Sequence, residues 1–441
     1  MNSVVRKKEI ALSIVKTLRA KSFQAYFAGG CVRDRLLGRE PYDYDVATDA
    51  SPDQIEKLFP DVIPVGKQFG VILAILEGMQ FEIATFRTEG AYRDGRRPEW
   101  VKPGTPEEDA SRRDFTINGL FYDPLENRSV DYVGGEEDLK KKVVRTIGDP
   151  NARFEEDKLR LLRAVRFAAN LNFTVDPDTW RVLQERAPEI KVVSAERIRE
   201  ELIKIFTRPN AGRGLDLLSE SGLLKEILPE VEALKGCHQD PEFHPEGDVF
   251  IHTKMLMDRL EAPSLVLAFS ALLHDVGKPP AFSETDGEIH FYYHERLGGE
   301  ISRNILTRLR FSNREIDSIS GAVENHMRFM HVKEMRKGKL KMLIGRETFF
   351  DELELHRIDC EASHGMLDNY EFLKAKIQEY REEELKPKPL INGDDLISMG
   401  CRPGPNMGKL LTEMYELQLD GALKDKDAAL AWARARWEEL M

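Results

Sequence analysis

The chain has 441 residues, too long for one ordinary hydrophobic core, so two to four packed units are expected. Hydrophobic residues make up 41% and charged residues 32%, and no apolar run is long enough to cross a bilayer, which excludes a membrane-embedded protein. The formal net charge of -12 runs against a nucleic-acid partner, because phosphate contacts supply most non-specific affinity. Net charge is only a sum, however, and basic residues cluster from Tyr92 to Trp100, at Lys140 to Lys142, in the series Arg160, Arg163, Arg166, and from Arg336 to Met342. Each such cluster taken alone is more often a solvated face. Cys31, Cys237, Cys360 and Cys401 form no CxxC pair, so neither a disulfide framework nor a zinc knuckle is expected and a reducing cytosol fits.

In chain order, the N-terminal segment predicts an amphipathic helix with Val5, Ile10, Ile14 and Leu18 on one stripe. It carries no small-residue cleavage site, so export is not expected. From Gln24 to Leu120 the runs YFAGG, YDYDVAT, VILAIL and FEIATF read as strands, the last two joined antiparallel through Glu77-Gly78. Between the first two, CVRDRLLG reads as a helix closed by Gly38, and Ser51-Pro52-Asp53-Gln54 is a capping signal. After about Asp149 strands give way to amphipathic helices, such as SAERIREELIKIF with Ile198, Leu202, Ile205 and Phe206 on one face. Residues 237–248 and 385–395 read as linkers.

Asp43 and Asp45, two apart on one expected strand, point to the same face, where two like charges call for a cation such as Mg²⁺. Glu82 is available as a third carboxylate, on a face that alternation does not decide. The alternative for an Asp-x-Asp is a surface strand or turn. Just upstream, Gly29 and Gly30 let a backbone approach a phosphate, at a helix start that carries Arg33. A plain strand-to-helix turn accounts for the glycines but leaves the neighbouring carboxylates unexplained.

With AGGCVRDRLLG and YDYDVAT, followed in order by SRRDFTINGLFYD, DYVGGEEDL, FEEDKLRLLRAVRFA and SAERIREEL, the chain resembles the class II tRNA nucleotidyltransferases and bacterial poly(A) polymerases. The resemblance implies an α+β protein: a polymerase-β-like nucleotidyltransferase head (1–148) followed by an all-α neck (149–211), a helical body (212–385) and a helical tail (386–441). It implies Mg²⁺ held by Asp43 and Asp45, ATP and CTP as substrates, and the tRNA 3′ end as partner. Phe154 to Asn170 reads as one helix on which Asp157, Arg160, Arg163 and Arg166 recur every third residue. A carboxylate beside a guanidinium matches the edge of cytosine or adenine, the use the resemblance implies for Asp157 and Arg160, with Arg163 and Arg166 on nucleotide or phosphate. An i,i+3 salt bridge on a solvated helix is the rival reading. Arg113 and Asp114 are expected at sugar and phosphate, and Thr88 to Asp109 as the flexible loop associated with adding the final A. Ile117-Asn118-Gly119-Leu120 departs from the family's INAL form, which leaves CCA, A alone or poly(A) as the product.

Further on, LLHDVGKP resembles an HD phosphohydrolase domain, in which His252, His274, Asp275 and Asp359 would hold a second, transition-metal ion and His294 and His326 would complete a two-metal version. A nucleotide-sensing HD phosphohydrolase is therefore a further alternative. A cytoplasmic, membrane-free enzyme is the expectation throughout.

Overall fold

Helix Ser3–Ala20 packs against strands β1 (Ala25–Ala28) and β2 (Asp45–Thr48) and buries Ile10, Ile14 and Leu18 there. Val5, expected on the same stripe, is exposed. The structure is a computed structural model that describes residues 3–90, 99–240, 244–285, 288–380 and 385–440. It divides into two units, Met1–Pro229 and Glu230–Met441.

The first unit is built on a sheet completed by β3 (Val62–Gly66), β4 (Val71–Leu76), β5 (Met79–Thr85), β8 (Phe121–Asp123) and β9 (Arg128–Val130), in the order β3-β4-β5-β2-β1-β8-β9. Glu77 and Gly78, both at positive φ, close the β4–β5 hairpin, because mirror-image turns follow the strand twist. Ser51 and Gln54 form the expected capping box on helix Pro52–Leu58. Phe86 and Phe121 meet edge-on at 5.7 Å in a core with Ala28, Ala47 and Ala110.

Three sequence expectations are corrected here. Asp43 is not on the strand: β2 begins at Asp45, and exposed Asp43 rests on Lys7 Nζ at 2.7 Å. The segment from Phe154 to Asn170 is two helices, Pro150–Glu156 and Leu159–Leu171. Asp157 breaks them, with extended backbone and a carboxylate that accepts from Leu159 N at 3.0 Å, the local bond through which aspartate competes with a helix interior. The stretch from Thr88 to Asp109 is not one loop: β6 (Arg87–Glu89) pairs with β7 (Val101–Pro103), and helix Pro106–Ser111 follows. Residues 91–98 within it lie outside the described residues.

Strands also persist beyond Asp149. β10 (Val143–Val144) pairs with β11 (Thr174–Val175), and in the second unit β12 (Phe282–Thr285) pairs with β13 (Glu288–Phe291) on either side of Asp286-Gly287. That Asp-Gly pair is a hairpin signal the helical reading passed over.

In the second unit, helices Val249–Asp258, Leu265–Leu273, His294–Arg308, Asn313–Asn325 and Phe349–Ala362 pack together. The last stretch forms helices Gly393–Ser398, Pro405–Asp420 and Lys426–Leu440 around Leu396, Leu410, Met414 and Ala429.

Candidate active site and HD metal centre

Sheet register places the head carboxylates. Ala28 pairs with Asp45, so the Gly29-Gly30 turn that follows β1 lies beside that carboxylate. β2 runs parallel to β5 with Val46 opposite Ile83, and the preceding residues on each strand are Asp45 and Glu82. Phe81 and Ile83 are buried while Glu82 is exposed, which settles the face that alternation left open. Asp45 is open to the cleft, yet enough protein surrounds it that burial, with repulsion from Glu82 and Asp43, pushes its carboxyl up to about 6 against the pull of Arg113. Asp45 with Glu82 on the neighbouring strand forms a carboxylate donor set suited to a hard divalent cation.

A cleft of about 600 Å³ is lined by every head and neck residue singled out above except Asp43: Gly29, Gly30, Arg33, Asp45, Glu82, Arg113, Asp114, Asp157, Arg160, Arg163 and Arg166. Gly29 sits at φ 70, where an L side chain is strained, and a Cβ there would lie 3.1 Å from Arg113 Nη1. Phe167 gathers three guanidiniums, with Arg166 at 4.2 Å and Arg33 and Arg163 each at 5.3 Å from its ring centre. Burial and the neighbouring Arg163 lower the Arg166 pKa to about 10, although Glu201 opposes the shift at 2.8 Å. Cations pressed together in this way favour a polyanionic ligand.

Buried carboxylates fix these arginines. Asp109 takes Arg112 Nη2 on Oδ1 at 2.6 Å and Arg113 Nη2 on Oδ2 at 3.0 Å. Asp114 receives both Nε and Nη2 of Arg163, and also Asn118 and Phe115 N. These partners overcome burial and hold its carboxyl at about 2. Asp157 is paired with Arg197 at 2.7 and 3.1 Å, and Arg160 with Glu156 and the Arg153 carbonyl. Asp157 and Arg160 thus share the cleft without sharing a helix row.

Sequence reasoning missed Asp109, Phe167, Arg197 and Glu201. Asp109 was open to it, standing three and four residues before Arg112 and Arg113 at helical spacing. Glu201 and Arg197 join the site only through the fold.

In the second unit the six HD residues converge. His252 Nε2 lies 3.0 Å from Asp359 Oδ1, His274 Nε2 3.2 Å from Asp275 Oδ2, and His294 Nε2 3.3 Å from His326 Nε2. Asp275 Oδ1 lies 3.6 Å from His294 and 4.0 Å from His326, so Asp275 belongs to two donor groups. His274 Nε2 and Asp275 Oδ2 are buried against each other, and Lys278 Nζ lies 2.7 Å from the same carboxylate oxygen, so the pair sits as a compact donor group suited to an ion. Burial, with His274 and His294 alongside, lowers His326 to about 4, leaving it neutral as a ligand must be. Burial works against charge on His252, but Asp359 and Glu246 raise it to about 9. His244, Glu246 and Lys278 at this centre were not anticipated; the first two lie in the segment read as linker.

Comparison with known proteins agrees with both halves. Residues 25–145 match the poly A polymerase head domain, 172–235 the probable RNA and SrmB-binding site of polymerase A, and 248–362 the HD domain. The CCA-adding enzyme of Lactobacillus johnsonii is 30% identical over 423 residues, which cover 95% of this chain and 95% of that one. The chain belongs to the CCA-adding enzyme family. The CCA-adding enzyme of Bacillus licheniformis is 43% identical over 226 residues, 51% of this chain and 56% of the relative. The crystal structure of the Bacillus stearothermophilus CCA-adding enzyme in complex with CTP superposes with a TM-score of 0.74 at 26% identity, covering 100% of this chain and 99% of that one. The family carries a metal-dependent nucleotidyltransferase head. Among the described residues no helix is long and apolar enough to cross a membrane.

Proposed function

We propose that this member of the family adds CCA to the tRNA 3′ end from CTP and ATP without a template, releasing pyrophosphate, in the cytoplasm where tRNA resides. The observation that carries this reading is the single cleft in which Asp45 and Glu82 face the arginines gathered on Phe167, with Asp157 and Arg160 on the same lining. The working division is head 1–148, neck 149–211, body 212–385 and tail 386–441.

Asp45 and Glu82 would hold Mg²⁺, and Asp43 would join them by leaving Lys7. When bound, the ion supplies positive charge to the α-phosphate oxygens and favours ionisation of the attacking 3′-hydroxyl. The chain's own residues do the rest. Arg33, Arg113, Arg163 and Arg166 receive the triphosphate, the backbone at Gly29 and Gly30 gives it room, and the arginines take up the charge that develops on the leaving pyrophosphate. The Asp157 carboxylate accepts from the exocyclic amine of cytosine or adenine, and the Arg160 guanidinium donates to a ring nitrogen or carbonyl. Arg197 occupies only part of the acceptor capacity of Asp157, which leaves lone pairs for a base.

In the second unit, His252, His274, Asp275 and Asp359 would hold a transition-metal ion, with His294 and His326 completing a second position.

The deciding experiment incubates the chain with tRNA transcripts ending before C, CC or A, each with one nucleotide at a time. Addition of CTP to a transcript lacking CCA is expected. Incorporation of ATP alone, or of a long A tail, would instead make it an A-adding enzyme or a poly(A) polymerase.

A further inference from the structure

His252 is approached from both edges of its ring. It is fully buried on helix Val249–Asp258, and its Nε2 edge faces Asp359 at 3.0 Å and the His274–Asp275 pair. On the opposite edge, Nδ1 lies 2.7 Å from Glu246 Oε1, whose side chain is only 5% exposed. The same oxygen meets His244 Nδ1 at 3.1 Å and Gln239 Nε2 at 3.2 Å, and the His244 ring stands edge-on to His252 with centroids 4.9 Å apart. Gln239 then accepts from Lys278 Nζ at 2.8 Å, and that ammonium lies 2.7 Å from Asp275 Oδ2. An outer chain of contacts therefore runs from one candidate ligand, His252, round to another, Asp275.

An imidazole ligates through the nitrogen that bears no proton, so the group that faces the other nitrogen decides which lone pair is offered. Asp359 shares the Nε2 edge with the other candidate ligands. On the Nδ1 edge stand Glu246 and, beside it, His244, and the Glu246 carboxylate at 2.7 Å is positioned to take a proton from Nδ1.

We propose that Glu246 is a positioning residue for the metal centre of the second unit: it accepts the Nδ1 proton of His252, presents Nε2 to an ion shared with His274, Asp275 and Asp359, and is itself steadied by His244 and Gln239. The proposal rests on the metal reading of that centre. It adds a residue from a segment whose sequence reads as a linker.

The test uses the full chain in an Asp45→Ala background, so that the carboxylates of the head do not compete, and titrates Co²⁺ by visible absorption and calorimetry. Glu246→Ala is expected to weaken Co²⁺ binding roughly ten- to a hundredfold. Glu246→Gln, which keeps a carbonyl acceptor, should recover part of the loss. The number of ions bound should not change. In the unaltered chain loaded with Zn²⁺, long-range ¹H–¹⁵N spectra should show His252 protonated at Nδ1; this measurement decides the matter if Glu246→Ala does not fold. Wild-type affinity in Glu246→Ala, or a His252 proton on Nε2, would overturn the proposal. So would the loss of one ion at unchanged affinity for the rest, which would make Glu246 and His244 ligands of a separate ion. A wild-type chain that takes up no Co²⁺ would remove the metal reading itself.

Discussion

Arg163 lays Nε and Nη2 on one oxygen of Asp114, at 2.8 and 2.6 Å, and so ties the neck helix Leu159–Leu171 to the segment that follows helix Pro106–Ser111. Asp114→Ala should destabilise the first unit by about 3 kcal/mol, because it strands a guanidinium designed for a buried partner. Arg163→Ala should cost about the same or more, since the Asp114 carboxylate it leaves is the more deeply buried of the two. The double substitution should cost clearly less than the sum. Urea denaturation of the four proteins measures the coupling, and simple additivity would refute it.

The same pair predicts an acid response. The folded Asp114 pKa of about 2 lies below its unfolded value of 3.8, so its stabilisation is complete above pH 4 and is lost as pH falls towards 2. The loss amounts to about 2 kcal/mol. Unfolding free energy measured from pH 5 to pH 2 should fall less steeply in Asp114→Asn than in wild type.

Asp45 shifts the other way. In the metal-free protein its pKa of about 6 means that a proton competes with Mg²⁺ below that pH. Apparent Mg²⁺ affinity should be flat above pH 7 and fall by up to about tenfold per unit below pH 6. Asp45→Ala should abolish nucleotide addition with the fold intact, a loss of about a thousandfold or more. A well-folded Asp45→Ala protein that kept more than about a tenth of the wild-type rate would show that another group holds the ion.

Asp157→Ala should lose much of its rejection of UTP and GTP, since each wrong base leaves a charged partner unsatisfied at about 1–3 kcal/mol. Single-nucleotide incorporation on tRNA lacking its terminal A, with all four nucleotides, reads this out. A uniformly slower enzyme with unchanged preference would leave Asp157 as the structural partner of Arg197.

Gly119 has a packing reason to depart from the family's alanine: a Cβ there would lie 2.6 Å from Val133 Cγ2 and 3.1 Å from Ile147 Cδ1. Gly119→Ala should therefore cost about 1–3 kcal/mol of stability and leave the product unchanged. A change from CCA to A-only addition in this variant would tie the residue to product choice instead.

The head was legible in the sequence because its signals are local. The Gly29-Gly30 turn, the Ser51 cap and the Glu77-Gly78 hairpin each need only neighbouring residues to form. The row from Asp157 to Arg166 was misread as one helix, since an aspartate that bonds to the backbone two residues on looks like any other polar helix position until its φ and ψ are known. Partners brought in from afar, Arg197 to Asp157 and Glu201 to Arg166, carry no periodic signal at all. Glu246 was hidden for a different reason: a segment rich in proline, glycine and acidic residues resembles a tether whether or not one of its carboxylates is buried.

The guanidiniums gathered on Phe167 do not distinguish a substrate about to react from the fragment just expelled. A cleft that draws in three linked phosphates by charge will also hold two. On the proposed reading, forward turnover is throttled by how quickly that fragment escapes, rising salt should speed its departure while weakening capture, and an excess of it should drive the terminal nucleotide back off the RNA. Directionality then comes from removal of the fragment elsewhere, with the cleft itself serving either direction.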